Sequence, residues 1–369
     1  MHARVAVVGA GAAGLALACR RGAQGTDGVV LVEAPPGAVS SPERTWCSWQ
    51  QGPGYWADAV SRSWERVSVV DRAGVRDVLD LAPLTYSMIR SSDYVRVAGE
   101  RLARTAVRRV EALVTGIEDG PPTTVVGADL TADLVFDTRP TPPAAPGRVA
   151  LLQHFRGWFV RTEQDAFDPS VAGLMDFRPL QPAGGVAFSY VLPTSRREAL
   201  VEHTLFSRTP WTTQQYDDAL RETTRALPPF DVVSTEQGAI PMTDAPFPRR
   251  VGQRVFRLGA AGGATRPSTG YTFTAAQRQA EQVALALHEG RDPTPPPAYS
   301  RRHLWMDGVL LRALDGGVVD GADFFVALFR AHPAERVLRF LDGTTTAAED
   351  VAVMRSAPRS AMVRAALRR

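Results

Sequence analysis

The chain has 369 residues, 44% of them hydrophobic and 22% charged, which is enough for two domains around a sizeable core. Its 42 basic and 39 acidic residues leave a net charge of only +3, too weak a field for general nucleic-acid binding. Every basic residue is an arginine, and the sequence holds neither lysine nor asparagine, so lysine Schiff-base chemistry and a Walker A phosphate loop are excluded.

Residues 4–8, RVAVV, read as a buried parallel strand. A glycine turn and an apolar helix over 12–21 follow, and VVLVE at 29–33 reads as a second strand. Residues 64–81 predict a hairpin turning at Ala73 and Gly74, and 91–105 predict a helix opened by Ser and Asp. Residues 106–139 alternate like short strands, and the Pro-rich break 140–147 is a connection between domains. Strand-like runs over 151–209 predict one antiparallel sheet, followed by a helix over 214–227. RVFRL starting at Arg254 returns to an apolar strand, a glycine-rich loop occupies 259–270, and a helix runs over 274–290 with Gly290 at its end. The rest of the chain reads as mostly helical, and no internal repeat is visible.

The first strand, turn, helix and second strand form a βαβ unit around Gly9, Ala10, Gly11 and Gly14. Gly9 permits the tight turn, Gly11 lets the backbone approach a pyrophosphate, and Gly14 lets helix and strand pack closely. The helix N-terminus then faces the phosphates. Glu33 ends the second strand at the ~20-residue spacing of a ribose acceptor. The late loop, with Gly259, Gly262, Gly263, Thr269, Gly270 and Tyr271, is expected near the first one. Two such loops suit FAD better than NAD alone. The expected architecture is an α/β, Rossmann-like FAD-binding fold interrupted by an inserted mixed or antiparallel sheet, with a helical C-terminal region. The nucleotide domain is assigned 1–60, 83–140 and 230–292, the substrate-binding sheet 61–82 and 148–229, and the helical region 293–369.

Two cysteines, Cys19 and Cys47, make no disulfide framework and suit a reducing compartment. The scattered histidines show no ligand spacing, so no metal site is expected. No run of about 18 apolar residues exists and no leader precedes the first strand, which points to a cytoplasmic protein without a membrane span.

Several segments together resemble the lycopene cyclases, flavin-dependent enzymes that form carotenoid rings. They are RTWCSW from Arg44, YSMIRSSDY from Tyr86, LLQHFRGWFV from Leu151, FDPSVAGLMDFR from Phe167, FSYVLPTSRREALVEHT from Phe188, EQGAIPM from Glu236 and GAAGGATRPSTGY from Gly259. The resemblance covers nearly the whole chain, and its fold is that of geranylgeranyl reductases and aromatic hydroxylases. It implies isomerisation of the linear ψ end groups of lycopene to β-ionone rings over reduced FAD, without net redox change, with NAD(P)H as the electron donor.

That chemistry needs an acid, a cation stabiliser, a dry pocket and a base. The resemblance makes Glu202, in LVEHT, the acid, and desolvation by Leu200, Val201 and Leu205 would keep it protonated. On residue type alone Glu202 reads first as a solvated strand face, and the family match reverses that. The next position is His203, where the family often has a second acid. Asp176 either positions the polyene end or takes the second proton, or else pairs with Arg178 or a turn amide. Glu236 either faces the flavin or fixes the following loop. Arg90 either neutralises flavin phosphate or holds a helix. Trp46, Trp49, Trp158, Phe159, Tyr190 and Tyr271 are cation–π candidates, of which about two or three are expected to touch substrate. Ala260 stands where flavin hydroxylases carry an Asp that binds the ribityl chain. The C-terminal Arg355, Arg359, Arg364, Arg368 and Arg369 either rest a basic helix on the inner face of the cell membrane or form a solvated face and tail. The alternatives in function are a related cyclase of another polyene or terpenoid, a flavin monooxygenase or reductase, and a non-catalytic carotenoid or flavin carrier.

Overall fold

The computed structural model describes residues 1–39 and 42–367; of the basic C-terminal residues, the Arg359 side chain, Arg368 and Arg369 lie outside the described part. In chain order the elements begin β1 (His2–Val8), α1 (Ala12–Ala23), β2 (Val29–Glu33), β3 (Thr45–Gln50), β4 (Val60–Trp64), β5 (Arg66–Val70), β6 (Arg76–Asp80), β7 (Thr85–Arg90) and α2 (Ser91–Leu102). They continue β8 (Arg108–Glu111), β9 (Gly116–Glu118), β10 (Thr123–Val126), β11 (Leu130–Asp137), β12 (Ala150–Thr162), β13 (Val171–Asp176), β14 (Val186–Pro193), β15 (Glu198–Ser207), α3 (Thr213–Thr224), β16 (Phe230–Thr243) and β17 (Val255–Arg257). The chain closes with α4 (Phe273–His288), α5 (Arg301–Asp315), α6 (Gly321–Ala331), α7 (Ala334–Leu341), α8 (Ala347–Ser356) and α9 (Arg359–Leu367).

The first sheet is the expected nucleotide-binding core. β1 pairs in parallel with β2 and β11, while β8 and β17 extend the parallel run. Val5 to Val8 of β1 are all buried, as both faces of a covered parallel strand must be. α1 packs against α4 with a surface of alanine and glycine. Gly14 has no alternative there: a Cβ would come 1.9 Å from the Gly9 carbonyl oxygen.

The second sheet runs β16-β12-β15-β14-β13-β5-β6 and is antiparallel except between β13 and β5. The predicted 64–81 hairpin becomes its β5–β6 edge. One boundary is corrected. Residues from 230 were assigned to the nucleotide domain, yet β16 pairs with β12 from Ala150 to Thr162 and belongs to this sheet. It is a half-exposed edge strand, so its sequence lacks the continuous apolar run of a parallel strand.

A third, three-stranded sheet, β3-β7-β4, was not anticipated. Its strands carry RTWCSW and YSMIR, and Thr45 at its edge reaches Glu236 of the second sheet. α3 covers one face of β12 and β15. α5, α6 and α7 pack on β12, β14, β5 and β6 around a core that includes Phe188, Phe206, Leu314 and Phe325.

Candidate active site

The N-terminal turn is shaped to hold a pyrophosphate. No atom lies within 4 Å of where a Cβ on Gly11 would be, and Gly11 caps α1 without a side-chain hydrogen bond. The first-turn N–H groups therefore face open space at the positive end of the helix dipole. Gly259 of the late loop comes so close that its Cβ would meet the Ala13 Cβ at 2.5 Å. The two glycine segments thus stand side by side. Glu33 ends β2 as predicted, but both of its oxygens are engaged by Arg109, at 2.8 Å each. A carboxylate has further lone pairs, so ribose hydroxyls can still be accepted there.

At the other end stands a pair of carboxyl groups that the sequence does not reveal as a pair. Gly157 of β12 is in register with Glu202 of β15 on one side and Glu236 of β16 on the other. All three share one face of the sheet. A Cβ on Gly157 would lie 3.3 Å from Glu202 and 3.4 Å from Glu236, and only 2.7 Å from Leu200. Glycine leaves the gap across which the two carboxyl groups face each other. Glu202 is 8% exposed and Glu236 3%.

The environments of the two differ in a consistent direction. Burial pushes Glu202 well above the ordinary carboxyl range, and the negative charge of Glu236 pushes it further. Thr204 Oγ1 donates to its Oε1 at 2.7 Å. Burial raises Glu236 as well, but Thr45 Oγ1 donates to it at 2.8 Å, and the Arg90 and Arg44 charges favour its ionised form. Two like charges this close disfavour each other, and the ionised form is held off more strongly at Glu202 than at Glu236.

His203 resolves the missing second acid. Neighbouring residues on a strand point to opposite faces. His203 accordingly faces α3, stacked on Trp211 and pushed down to about 4 by burial. The second carboxyl comes from Glu236, two ladders away. Asp176 is not brought to this pair: its row holds Ser189 and His203, on the α3 face. It grips Arg178 and accepts the Arg178 amide at 3.1 Å, which are the two structural alternatives. Arg90 is corrected as a phosphate ligand. Its guanidinium lies 4.0 Å from the Phe159 ring centroid and 3.6 Å from Glu43, at the start of α2. Glu236 does not line the cavity described next; it faces Glu202 across Gly157.

One cavity of about 500 Å³ joins the two ends. Gly11, Ala12 and Ala13 line one end; Gly259, Ala260, Thr269, Gly270 and Tyr271 line its length; Glu202 lies at the other. Ala10, Gly262 and Gly263 shape the loops without lining it. Of the aromatic candidates, Trp46, Tyr190 and Tyr271 line it. Trp49 backs Tyr271 at 4.6 Å between centroids, Trp158 points away to donate to Asp217, and Phe159 is covered by Arg90. Sequence reasoning missed Tyr86, Cys47, Arg44 and Gln153. All four lie inside the quoted segments RTWCSW, YSMIRSSDY and LLQHFRGWFV, and only the fold shows which way they point. Around Glu202 the surroundings are dry: burial first, and then the Glu202 and Glu236 carboxyl groups, push the Cys47 thiol up to about 12.

The cavity also fits a flavin. Gln153 Oε1 and Thr269 Oγ1 are buried without hydrogen-bond partners, and both residues line it. Such orphans ask for a polar ligand. Among the described residues, no group of three or more His, Cys, Asp or Glu side chains could hold a metal, and no helix is long and apolar enough to cross a membrane.

Solved structures share this fold. A geranylgeranyl bacteriochlorophyll reductase-like protein from Thermoplasma acidophilum is similar with a TM-score of 0.67 at 12% identity, over 98% of both chains. The flavin-dependent brominase Bmp2 follows at TM-score 0.62 and 14% identity over 99% of both chains. The p-nitrophenol 4-monooxygenase PnpA from Pseudomonas putida DLL-E4 matches at 0.57 and 17%, over 96% of this chain and 97% of that one. No curated protein sequence matches. The family model described as lycopene cyclase protein matches residues 4–367, and the chain therefore belongs to the lycopene cyclase family.

Proposed function

We propose that this protein closes the linear ψ end groups of lycopene to β-ionone rings, with FAD held in reduced form and no net redox change. The observation that carries the reading is a buried Glu202, its carboxyl pushed above the ordinary range by burial, at one end of a cavity whose other end is a dinucleotide turn. FAD would be held at its pyrophosphate by the N-terminus of α1, at the ribose by Glu33, and along the 259–271 loop with Gln153 and Thr269. Reduced by NAD(P)H, it supplies an electron-rich ring that favours a neighbouring cation.

The chain's own residues do the rest. Glu202 donates its proton to the terminal alkene, leaving a tertiary cation that the neighbouring double bond attacks. Tyr190, Tyr271 and Trp46 offer π faces to the positive charge. The burial that raises Glu202 also keeps out water that would trap the cation. Loss of one proton from the ring completes the reaction. Having given one proton, the Glu202–Glu236 pair is a base again and takes one back. Glu236 is a positioning residue that sets the proton affinity of Glu202. Delivery of the substrate is assigned to the face of a membrane.

The test is anaerobic, with the protein, chemically reduced FAD and lycopene in liposomes, the pigments being resolved by chromatography. γ- or β-Carotene formed without net oxidation of the flavin supports the reading. A product with a saturated double bond, formed with one reduced flavin oxidised per turnover, would place the protein with the reductases. Glu202→Gln should lower cyclisation by at least ~10²-fold while FAD still binds.

A further inference from the structure

Arg44, just ahead of β3, is the one basic residue among those that line the cavity ending at Glu202. Its backbone is fixed at the start of α2. The amide donates to Ser91 Oγ at 2.9 Å, and the carbonyl accepts from the Ser91 amide at 2.8 Å. Its Nη1 donates to the Gln237 carbonyl of β16. Gly238 makes room for the guanidinium, since a Cβ there would lie 2.9 Å from Nη1. Among the described residues no carboxylate forms an ion pair with Arg44. The adjacent Glu43 is held instead by Arg90 at 3.6 Å and by the Ser91 hydroxyl and Ser92 amide. A half-buried guanidinium that faces a largely apolar cavity without a counter-ion calls for an anionic occupant.

The cavity has an order along its length. A pyrophosphate at the N-terminus of α1 leaves the other end for the tricyclic ring of a flavin. Arg44 belongs to that other end. Its partner Gln237 follows Glu236 in β16, and the Arg44 charge acts on Glu236 itself. No second cation competes there: Arg90 covers Phe159 and does not line the cavity. Burial pushes up Cys47, Tyr86, Tyr190 and Tyr271, so these stay uncharged near neutral pH. The remaining charged groups are Glu202 and Glu236, and any negative charge on them would oppose an anionic ring. Arg44 alone favours one.

We propose that Arg44 holds the reduced flavin as its N1 anion, through a fixed guanidinium charge at the tricyclic end of the cavity. This role rests on the flavin assigned to the cavity above and not on ring closure. The N1 proton leaves to solvent, and no electron moves. One of the five guanidinium N–H groups is committed to Gln237, which leaves others for the ring. An anionic ring favours a neighbouring cation more strongly than a neutral one does.

The experiment uses the full-length, FAD-loaded protein, reduced by dithionite without oxygen and without polyene, its flavin absorbance being followed through a pH titration. The unsubstituted protein should ionise its reduced flavin at lower pH than free FAD does. Arg44→Gln should move the midpoint up by about 1 pH unit or more, and Arg44→Lys should keep most of the lowering because it keeps the charge. On the alkaline side, Arg44→Gln should bind reduced FAD about tenfold more weakly for each unit moved, and oxidised FAD within about twofold of the unsubstituted protein. A midpoint at or above that of free FAD in the unsubstituted protein would overturn the proposal with no variant needed. So would an unmoved midpoint in a variant that keeps its melting temperature. Equal weakening of oxidised and reduced FAD would make Arg44 a pyrophosphate ligand, and an Arg44→Lys that behaves as Arg44→Gln would reduce it to its hydrogen bond with Gln237; either result overturns the proposal. A lowered midpoint in a protein that forms no ring product would overturn the proposed cyclisation and leave this role standing. Ring product with the midpoint unmoved by Arg44→Gln would do the reverse.

Discussion

A carboxylic acid keeps its proton at neutral pH when its charged form cannot be solvated. Glu202 meets that condition twice over, through burial and through the charge of Glu236. Its folded-state pKa is raised, so the protonated, donating form persists above the usual carboxyl range and is lost as pH rises through the raised value. Ring formation should therefore hold on the acid side and fall on the alkaline side. Glu236→Gln removes the Coulomb contribution to Glu202, so the alkaline limb of the kcat profile should move to lower pH while FAD affinity is unchanged. A limb that stays in place would show that Glu236 does not set the proton affinity of Glu202. The family pattern in LVEHT points to Glu202 as the proposed acid, but nothing near it in sequence points to Glu236. The two are joined only through the ladders of a third strand.

That third strand makes Gly157 the decisive position of the second sheet. A glycine inside a strand ordinarily weakens it by ~0.5–1 kcal/mol relative to alanine. Here the lost side chain is the space in which two carboxyl groups meet, and an added Cβ would press into Leu200 at 2.7 Å. Gly157→Ala should lower kcat by about 10²-fold and return the pH limb toward that of an isolated buried acid, with the protein folded and FAD bound. Unchanged activity, measured on the purified variant, would remove Gly157 from the site. At this scale the regular elements were legible. β2 runs from Val29 to Glu33 as read, and α2 and α4 lie within a few residues of their expected ends. The β3-β7-β4 sheet was not legible, because its strands alternate too little and pair only with one another. β16 was misplaced for a related reason: an edge strand carries little hydrophobic signature.

Across the whole molecule, the loop beside the proposed flavin is tied to the C-terminal helices by one buried ion pair, Arg266 with Asp307. Both residues are nearly inaccessible, at 1% and 3%. Removing one partner of such a pair strands the other charge and costs about 3–5 kcal/mol. Asp307→Asn should lower the melting midpoint markedly and weaken FAD binding, because the 265–271 loop loses its anchor to α5. A melting midpoint that falls with FAD affinity intact would mean that the helical region merely packs on the flavin-binding part.

Patterns confined to neighbouring residues were readable from the chain: the glycine turn, the strand and helix periods, the absence of lysine chemistry, the family segments and the acidic residue in LVEHT. They are readable because backbone sterics and amphipathic periods act over a few residues. The pairing of Glu202 with Glu236 and the turning of Asp176 and Arg90 away from the cavity depend on sheet register and on which face each strand presents. Those are settled by burial summed over contacts distant in sequence, and no local window contains them.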